Sequence, residues 1–279
     1  MILLNKTFKN REAEHVDIED RGYQFGDGVY EVIRVYEGRL YAMEEHMERL
    51  DRSCREIQMS LPYSLEEITN NIKALVTKNE LSTGIVYLQI TRGAAPRVHQ
   101  FPDHAQSILT AYTKPMDRPH QLLASGIDVV TLEDIRWLRC DIKSLNLLGN
   151  VMAKQEAKTK QCQEAVFIRD GQVTEGSSSN VFVVKDNQVI THPATNLILN
   201  GITRVKVLEW LKDKGIEVIE SAPTPEQLTT ADEMFITSTT MEVMPVISLD
   251  GTTIGSGQPG PITQSLQQAI VEDFDTKEV

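Results

Sequence analysis

The sequence has few of the features that mark several large classes of protein. It contains three cysteines, Cys54, Cys140 and Cys162, and no CxxC pair. So sparse and odd a set excludes a disulfide framework and predicts a reducing, cytoplasmic location. No run approaches the roughly 20 apolar residues of a membrane span, so no membrane association is predicted. The six histidines lack the spacing of metal ligands, and no metal site is predicted.

Positive charge is also scarce. Lysine and arginine total 28 against 40 acidic residues, which gives a formal net charge of −12. Nucleic-acid binding needs a basic face, so this balance argues against it as the main activity. What is present is ordinary for a globular protein, with 41% hydrophobic and 24% charged residues. A chain of 279 residues is long enough for two modest domains.

Hairpin signals alternate irregularly with helical patterns, which favours an α+β fold over strict βαβ alternation. An apolar spacing of 4,3,4,3 predicts a helix over Met43–Ile57, and a capping box at Ser64 predicts a second one. Prolines in the segment 114–120 indicate a linker. We therefore expect a smaller N-terminal α+β domain, a linker and a larger C-terminal α+β domain that carries Lys143, with bounds 1–117, 118–121 and 122–279.

The stretch 165–191 supplies the strongest polar signal. Glu175 and three serines stand between strand-like runs, where a core has no use for them. Lys143 lies in another polar stretch, Gly201-Ile202-Thr203 opens a helix whose free N–H groups favour an anion, and Ser238-Thr239-Thr240 follows a strand. These residues predict a phosphorylated ligand with a lysine and a carboxylate nearby, and nothing more specific.

Four strings make the sequence similar to a known family. They are D-I-K-S-L-N-L-L-G-N at 141–150, E-G-S-S-S-N-V-F at 175–182, L-N-G-I-T-R at 199–204 and G-D-G-V-Y-E at 26–31. They resemble the fold-type IV pyridoxal-phosphate aminotransferases, which implies that two-domain fold. The string T-R-G-A-A-P-R-V-H-Q-F-P at 91–102 resembles the D-amino-acid transaminases within that family.

The resemblance implies pyridoxal 5'-phosphate as the cofactor and gives each site residue a role. Lys143 would form the Schiff base with the cofactor aldehyde and then move the proton as base and acid. Glu175 would sit at the pyridine nitrogen and favour the protonated, electron-withdrawing ring. The remaining implied cofactor contacts are the phosphate ligands Arg49, Ile202, Thr203, Ser238 and Thr239, the ring contact Leu199, and Ser178 and Ser179 lining the site.

The implied substrates are small molecules, a D-amino acid such as D-alanine and a 2-oxo acid such as 2-oxoglutarate. Tyr30, Arg97 and His99 match the family's trap for the substrate α-carboxylate, and the planar guanidinium of arginine suits that group. The resemblance further implies a homodimer in which the loop with Arg97 and His99 reaches the neighbouring subunit's site. The breadth of substrate acceptance, the physiological direction and the serine of 177–179 that contacts the ligand stay open.

Two other interpretations stay open at this point. One is a branched-chain L-aminotransferase or an aminodeoxychorismate lyase of the same fold, against which the Arg97 and His99 pair speaks. The other is a non-catalytic cofactor carrier. A carrier has no use for an electron sink, so the presence of both Lys143 and Glu175 argues against it.

Overall fold

The computed structural model describes residues 1–104 and 106–276. The chain divides into two compact units, and the segment Ile142–Leu147 groups with the first of them, which otherwise consists of Met1–Asp117. The second unit consists of Arg118–Asp141 and the chain from Leu148 onwards. The segment that carries Lys143 therefore groups with the N-terminal unit, whereas the sequence analysis assigned it to the C-terminal domain.

The first unit contains one antiparallel sheet. Its order is β2-β1-β6-β5-β3-β4, with strand bounds β1 Ile2–Leu4, β2 Thr7–Lys9, β3 Gly28–Tyr36, β4 Arg39–Leu40, β5 Gly84–Thr91 and β6 Ile108–Pro115. Side chains alternate across a strand, so β3 buries Val29, Ile33 and Val35 in the core. The same alternation puts Tyr30 on the opposite face of the strand.

The α-helices that the described residues of the first unit form are α1 Arg21–Phe25, α2 Met43–Glu56 and α3 Leu65–Lys78. The predicted helix at Met43 ends one residue before its predicted bound, and the capping box at Ser64 is present, with both reciprocal hydrogen bonds to Glu67. Apolar stripes of α2 and α3 pack in the core beside β3. The short helix α1 was not predicted.

The second unit contains a mixed sheet of nine strands. The strand bounds are β7 Ile127–Glu133, β8 Glu164–Arg169, β9 Gln172–Gly176, β10 Asn180–Lys185, β11 Gln188–Thr191, β12 Val218–Glu220, β13 Glu233–Ser238, β14 Glu242–Leu249 and β15 Thr252–Thr253. The order is β12-β11-β10-β13-β14-β7-β8-β9, and β15 pairs with β14. Pairs β11–β12, β14–β7 and β7–β8 are parallel, and the others are antiparallel.

The helices of the second unit are α4 His120–Ser125, α5 Leu148–Thr159, α6 Ile202–Asp213, α7 Pro225–Thr229 and α8 Pro261–Thr276. The predicted linker, 118–121, thus includes the first two residues of α4. Phe182 and Phe235 stack at 4.8 Å in a core that also includes Leu211 of α6 and Leu266 of α8. Hairpins and helices are mixed in both units, which confirms the predicted α+β class.

Two further features follow from the described residues. Within 1–104 and 106–276, no helix is both long enough and apolar enough to cross a membrane. The same residues contain no group of three or more His, Cys, Asp or Glu side chains that could hold a metal ion.

Candidate active site

Backbone contacts with the start of β3 hold Lys143. Its carbonyl accepts a hydrogen bond from the Tyr30 N–H at 3.0 Å, and the Leu145 N–H donates to the Gly28 carbonyl at 3.0 Å. A Cβ at Gly28 would lie 2.6 Å from the Ile90 carbonyl oxygen, so this close approach requires glycine. The Lys143 Nζ lies 4.3 Å from the centre of the Tyr30 ring. No carboxylate of the described part of the chain forms a salt bridge with it, so the amine is not committed to an ion pair.

A buried ionic cluster lies between β3 and α2. Glu31 Oε1 accepts from Arg49 Nε at 2.7 Å, and Glu31 Oε2 accepts from Arg49 Nη2 at 2.8 Å and lies 2.7 Å from His46 Nδ1. Burial opposes ionisation, but Arg49 and His46 outweigh it and hold the pKa of Glu31 far below its ordinary value. Burial has the opposite effect on the basic side chain of His46, whose pKa it lowers. The bidentate pair fixes the orientation of the Arg49 guanidinium.

Glu175, in β9, has a buried carboxylate held by three donors. Oε1 accepts from Arg136 Nη1 at 2.5 Å, and Oε2 accepts from the Leu199 N–H at 3.0 Å and from Asn180 Nδ2 at 3.2 Å. Burial raises the pKa of Glu175 to about 7, although Arg136 and the Leu199 N–H act in the opposite direction. An ionised carboxylate offers about four lone-pair positions, so about one remains for a further donor.

Arg136 is fixed by several acceptors besides Glu175. Its Nε and Nη2 donate to the two Asp134 oxygens, each at 2.9 Å, and the guanidinium lies 4.4 Å from the Phe167 ring centre. Although burial acts against it, the hydrogen bonds and charge of Arg136 lower the pKa of Asp134. This arginine is therefore a fixed support for one oxygen of Glu175.

The serine run is organised by Glu164, a fully buried residue at the start of β8. The hydroxyls of Ser177, Ser178 and Ser179 all donate to its two carboxylate oxygens, with the Ser178 bond at 2.9 Å and the Ser179 bond at 3.3 Å. Lys154 Nζ lies 3.2 Å from the same carboxylate. The serine protons are therefore committed within the protein, which leaves oxygen lone pairs for any ligand.

Helix α6 begins without a capping side chain. Gly201 occupies the N-cap position in an extended conformation. A Cβ at Gly201 would lie 2.3 Å from Asn180 Oδ1, so a side chain here would displace Asn180. The N–H groups of Ile202 and Thr203 belong to the first turn, where a helix has no internal acceptors and favours an anion. This arrangement suits a phosphate.

Asn180 links the remaining predicted cofactor residues of the second unit. Its Nδ2 also donates to the Leu199 carbonyl at 2.8 Å. In the sheet, Asn180 pairs with Thr237, so Ser238 at the end of β13 is one residue from that pair. The Ser238 hydroxyl accepts from the Met241 N–H at 3.1 Å, and Thr239 follows in the turn. Asn180 thus links Glu175, Leu199 and the start of α6, and its strand partner Thr237 directly precedes Ser238 and Thr239.

The loop with Arg97 and His99 is held against α1. Arg21 Nη1 donates to the Val98 carbonyl at 2.7 Å, and Nη2 donates to the His99 carbonyl at 3.4 Å. The Arg97 guanidinium lies 4.9 Å from the Phe25 ring centre, and the His99 and Phe25 ring centres are 5.7 Å apart. Both side chains are exposed in the single chain.

The structure thus brings the predicted residues into separate groups, and their individual roles stay predictions. Sequence reasoning missed the residues that orient them. Glu31 lies inside a string that was quoted for its family resemblance, and Asn180 follows the serine run directly, so both had a positional signal. Arg136 and Glu164 had none, because an isolated charged residue gives no sign of its partner.

A family model described as Amino-transferase class IV matches residues 28–249. The D-alanine aminotransferase of Bacillus licheniformis is 53% identical over 269 residues, which covers 96% of this chain and 95% of that protein. The chain therefore belongs to the class IV aminotransferase family, as predicted from its four strings.

Solved structures agree on the fold. The branched-chain aminotransferase of Escherichia coli matches with a TM-score of 0.91 and 28% identity, covering 97% of this chain and 93% of that one. The branched-chain aminotransferase of Thermoproteus uzoniensis, solved with norvaline, matches with a TM-score of 0.88 and 28% identity, covering 99% and 95%. The predicted fold type IV is confirmed.

Proposed function

We propose that this chain is a pyridoxal-phosphate-dependent D-amino-acid aminotransferase. It transfers the amino group of D-alanine to 2-oxoglutarate, which yields pyruvate and D-glutamate, and the reaction is reversible. The observation that carries the proposal is the buried Glu175 carboxylate, held by three donors and left with room for one more. The near full-length identity of 47–53% to curated D-alanine aminotransferases supports the same substrate.

The residues present fit the cofactor on chemical grounds. Bound pyridoxal phosphate supplies a protonated pyridine ring that withdraws electrons from the substrate Cα. The open position on Glu175 suits the ring N–H as donor, and Leu199, whose N–H also binds Glu175, would pack against the ring. The uncapped start of α6 suits the phosphate. Arg49, Ser238 and Thr239 are the further phosphate ligands we propose, and Ser178 and Ser179 present oxygen acceptors toward the cofactor or substrate.

Lys143 would carry the cofactor and move the proton. A free amine is needed for both tasks, and Lys143 has no ion-pair partner in the described residues. Its Nζ lies 4.3 Å from the centre of the Tyr30 ring, a distance at which a cation–π contact forms. Once the substrate is bound, Nζ would take a proton from the substrate Cα as a general base and give it to the cofactor C4′ carbon as a general acid.

Tyr30, Arg97 and His99 would bind the substrate α-carboxylate. Arginine offers two parallel donors to a carboxylate, and the tyrosine hydroxyl and histidine ring add further donors. Because the carboxylate is fixed by this trap and the reacting Cα must face Lys143, the hand of the accepted amino acid is set by which side of the carboxylate the side chain occupies. This supports selection of one enantiomer.

We further propose a homodimer in which the loop with Arg97 and His99 serves the partner's site. Large apolar side chains on this loop and its supports are exposed in the single chain, namely Ile18 at 78%, Tyr23 at 75%, Val98 at 49% and Phe101 at 51%. Exposed large apolar side chains on neighbouring segments favour an interaction surface. Two-fold homodimers are the commonest assemblies, and a self-complementary patch suits one.

The cytoplasm is the location that we propose. Cys54, Cys140 and Cys162 are all free thiols, and Cys54 and Cys140 are buried. Free thiols are typical of reducing compartments. Fractionation of the source cells with an antibody against the chain tests this, and recovery outside the cytoplasmic fraction would contradict it.

A branched-chain L-aminotransferase is the second candidate, since solved structures similar in fold are named for that activity. One assay separates the two. Purified protein with added cofactor is offered D-alanine or L-leucine, with 2-oxoglutarate as acceptor. We expect pyruvate from D-alanine and little reaction with L-leucine. Activity with L-leucine alone would transfer the assignment to the second candidate, and activity with neither would reject both.

A further inference from the structure

The half-buried ring of Phe25 has an unusual set of neighbours. It is absent from the hydrophobic core of the first unit, as far as residues 1–104 and 106–276 describe it. Three cationic or ionisable side chains surround it instead. The guanidinium carbons of Arg21 and Arg97 each lie 4.9 Å from its ring centre, and the His99 ring centre lies at 5.7 Å. Two of these three residues form the proposed carboxylate trap.

Arg21 fixes the backbone of the same loop. This side chain is 3% exposed, and its Nε pairs with Asp27 Oδ2 at 2.8 Å. Its two remaining nitrogens donate to the carbonyls of Val98 and His99. A planar guanidinium can span two neighbouring carbonyls and a carboxylate at once, whereas an ammonium cannot hold that fork. The loop backbone is therefore fixed at Val98, between the two trap residues, and at His99 itself.

Arg92, the residue just before the loop, is also fixed by several contacts. Its Nε donates to the same Asp27 Oδ2 at 2.8 Å, its Nη1 and Nη2 donate to the Gln58 and Ile57 carbonyls, and its guanidinium lies 3.8 Å from the Phe101 ring centre. Asp27 thus joins two buried arginines, Arg92 at the start of the loop and Arg21 at the backbone of Val98 and His99. Gly93 has φ +92° and a Cβ there would lie 2.1 Å from the Gln106 carbonyl oxygen, so the loop leaves β5 in one defined direction.

We propose that helix α1 is the positioning element for substrate carboxylate binding, with Phe25 aligning the Arg97 and His99 side chains and Arg21 fixing their backbone. Neither residue touches the substrate in this arrangement. The inference rests on the proposed function, because it presumes that Arg97 and His99 bind the carboxylate. It adds two residues, Phe25 and Arg21, that set how tightly an amino acid binds without taking part in the proton transfer.

The first test is Phe25→Leu, with Phe8→Leu as its matched control. Phe8 is a phenylalanine of the same unit that packs against the core, with the Lys78 ammonium 5.1 Å from its ring centre. A cation–π contact is worth about 0.5–2 kcal/mol, so we expect kcat/KM for D-alanine to fall about 2- to 30-fold in Phe25→Leu. The loss should lie in KM with kcat retained, since the carboxylate contacts are equal in ground and transition states. Phe8→Leu should lower the melting temperature and leave KM unchanged.

A double-mutant cycle with Arg97→Ala then separates positioning from general loss of structure. Most of the Phe25→Leu effect should vanish in the Arg97→Ala background, because the side chain that Phe25 aligns is absent. Arg21→Lys should raise KM as well, since it keeps the charge beside Asp27 and loses the fork. Fully additive effects of Phe25→Leu and Arg97→Ala would overturn the inference and leave the proposed function intact. An unchanged KM in both Phe25→Leu and Arg21→Lys would do the same. An unchanged KM in Arg97→Ala would overturn the trap in the proposed function, and the inference with it.

Discussion

At the scale of single residues, Lys143 owes its position to the backbone rather than to a charged partner. Lys143→Ala should abolish repeated turnover, because both the cofactor attachment and the proton transfer are lost. General acid–base catalysis contributes roughly 10²–10⁴-fold, which sets the least loss expected. Steady-state assay with D-alanine measures it, and the exposed lysine variant Lys114→Ala is the control.

Borohydride treatment of the loaded protein followed by peptide mapping should label Lys143 and no other lysine. A Lys143→Ala protein that kept more than about a tenth of parental turnover, far above the loss that general acid–base catalysis predicts, would assign the attachment to a different lysine.

Glu175 is the second residue whose proposed role can be tested by substitution. Glu175→Gln keeps the size of the side chain and removes its charge, so the ring nitrogen loses the partner that favours its protonated form. The single-turnover rate with D-alanine should fall much more than cofactor affinity. Stopped-flow absorbance measures the first and equilibrium dialysis the second. Glu217→Gln, an exposed glutamate of the same unit, is the control, and an unchanged single-turnover rate would remove Glu175 from the ring nitrogen.

At the scale of elements, the start of α6 carries a prediction about phosphate binding. Thr203→Val removes one hydroxyl donor, and a hydrogen bond to a charged group is worth about 1.5–3 kcal/mol. Cofactor should therefore dissociate about 10- to 150-fold more readily, as measured by retention on dialysis. Thr229→Val in α7, a threonine whose hydroxyl donates to a helix carbonyl, should retain cofactor like the parent. Equal retention in both variants would place the phosphate elsewhere.

The helices that the sequence predicted are long and have a periodic pattern of apolar residues. The apolar stripe of α2 and the capping box of α3 belong to helices of fourteen residues each, so their signals accumulate. Helix α1 has five residues, one of them glycine, and its N-cap Asp20 accepts from Gly22 and Tyr23. So short a helix depends on its tertiary contacts more than on its own propensity, and these contacts are invisible in the sequence.

The candidate site divides in the same way. Most of the residues predicted to bind the cofactor stand in contiguous strings, such as the serine run after Glu175, and a string can be compared with a family. The residues that orient these side chains are single residues from distant positions in the sequence. Arg136 lies 39 residues from Glu175, and its hydrogen bond to that carboxylate exists only after the strands have paired. Periodicity and motif length carry no information about such a contact.

At the scale of the whole molecule, the proposed dimer predicts complementation. Lys143→Ala and Arg97→Ala homodimers should each be nearly inactive with D-alanine. In a mixed dimer with composite sites, one site would carry both defects and the other neither. Co-expression with two different affinity tags, followed by tandem purification, should therefore yield a mixed dimer with roughly half the parental activity per dimer, the share expected when one of the two symmetric sites is intact.

The matched control for this experiment combines both changes in one chain. Co-expressing the Lys143→Ala/Arg97→Ala double variant with the parent leaves no intact composite site, because each site then takes one defect from the variant chain. This mixed dimer should be nearly inactive. The opposite pattern, in which the double variant with the parent is active and the mixed single variants are not, would show that Arg97 acts within its own subunit.

The position of the segment Ile142–Leu147 in the chain affects when the first unit can be completed during synthesis. A ribosome that has delivered Met1–Asp117 has made every strand and helix of the first unit, yet it has not made the residues that bond to Gly28 and Tyr30. The backbone donors and acceptors at that edge of β3 stay solvated until about 30 further residues have been synthesised. At common elongation rates this takes a few seconds. Lys143, the lysine that we propose attaches the cofactor, is thus among the last residues of its unit to be synthesised. A nascent chain that stalls before residue 142 therefore lacks Lys143 and with it the proposed site of cofactor attachment.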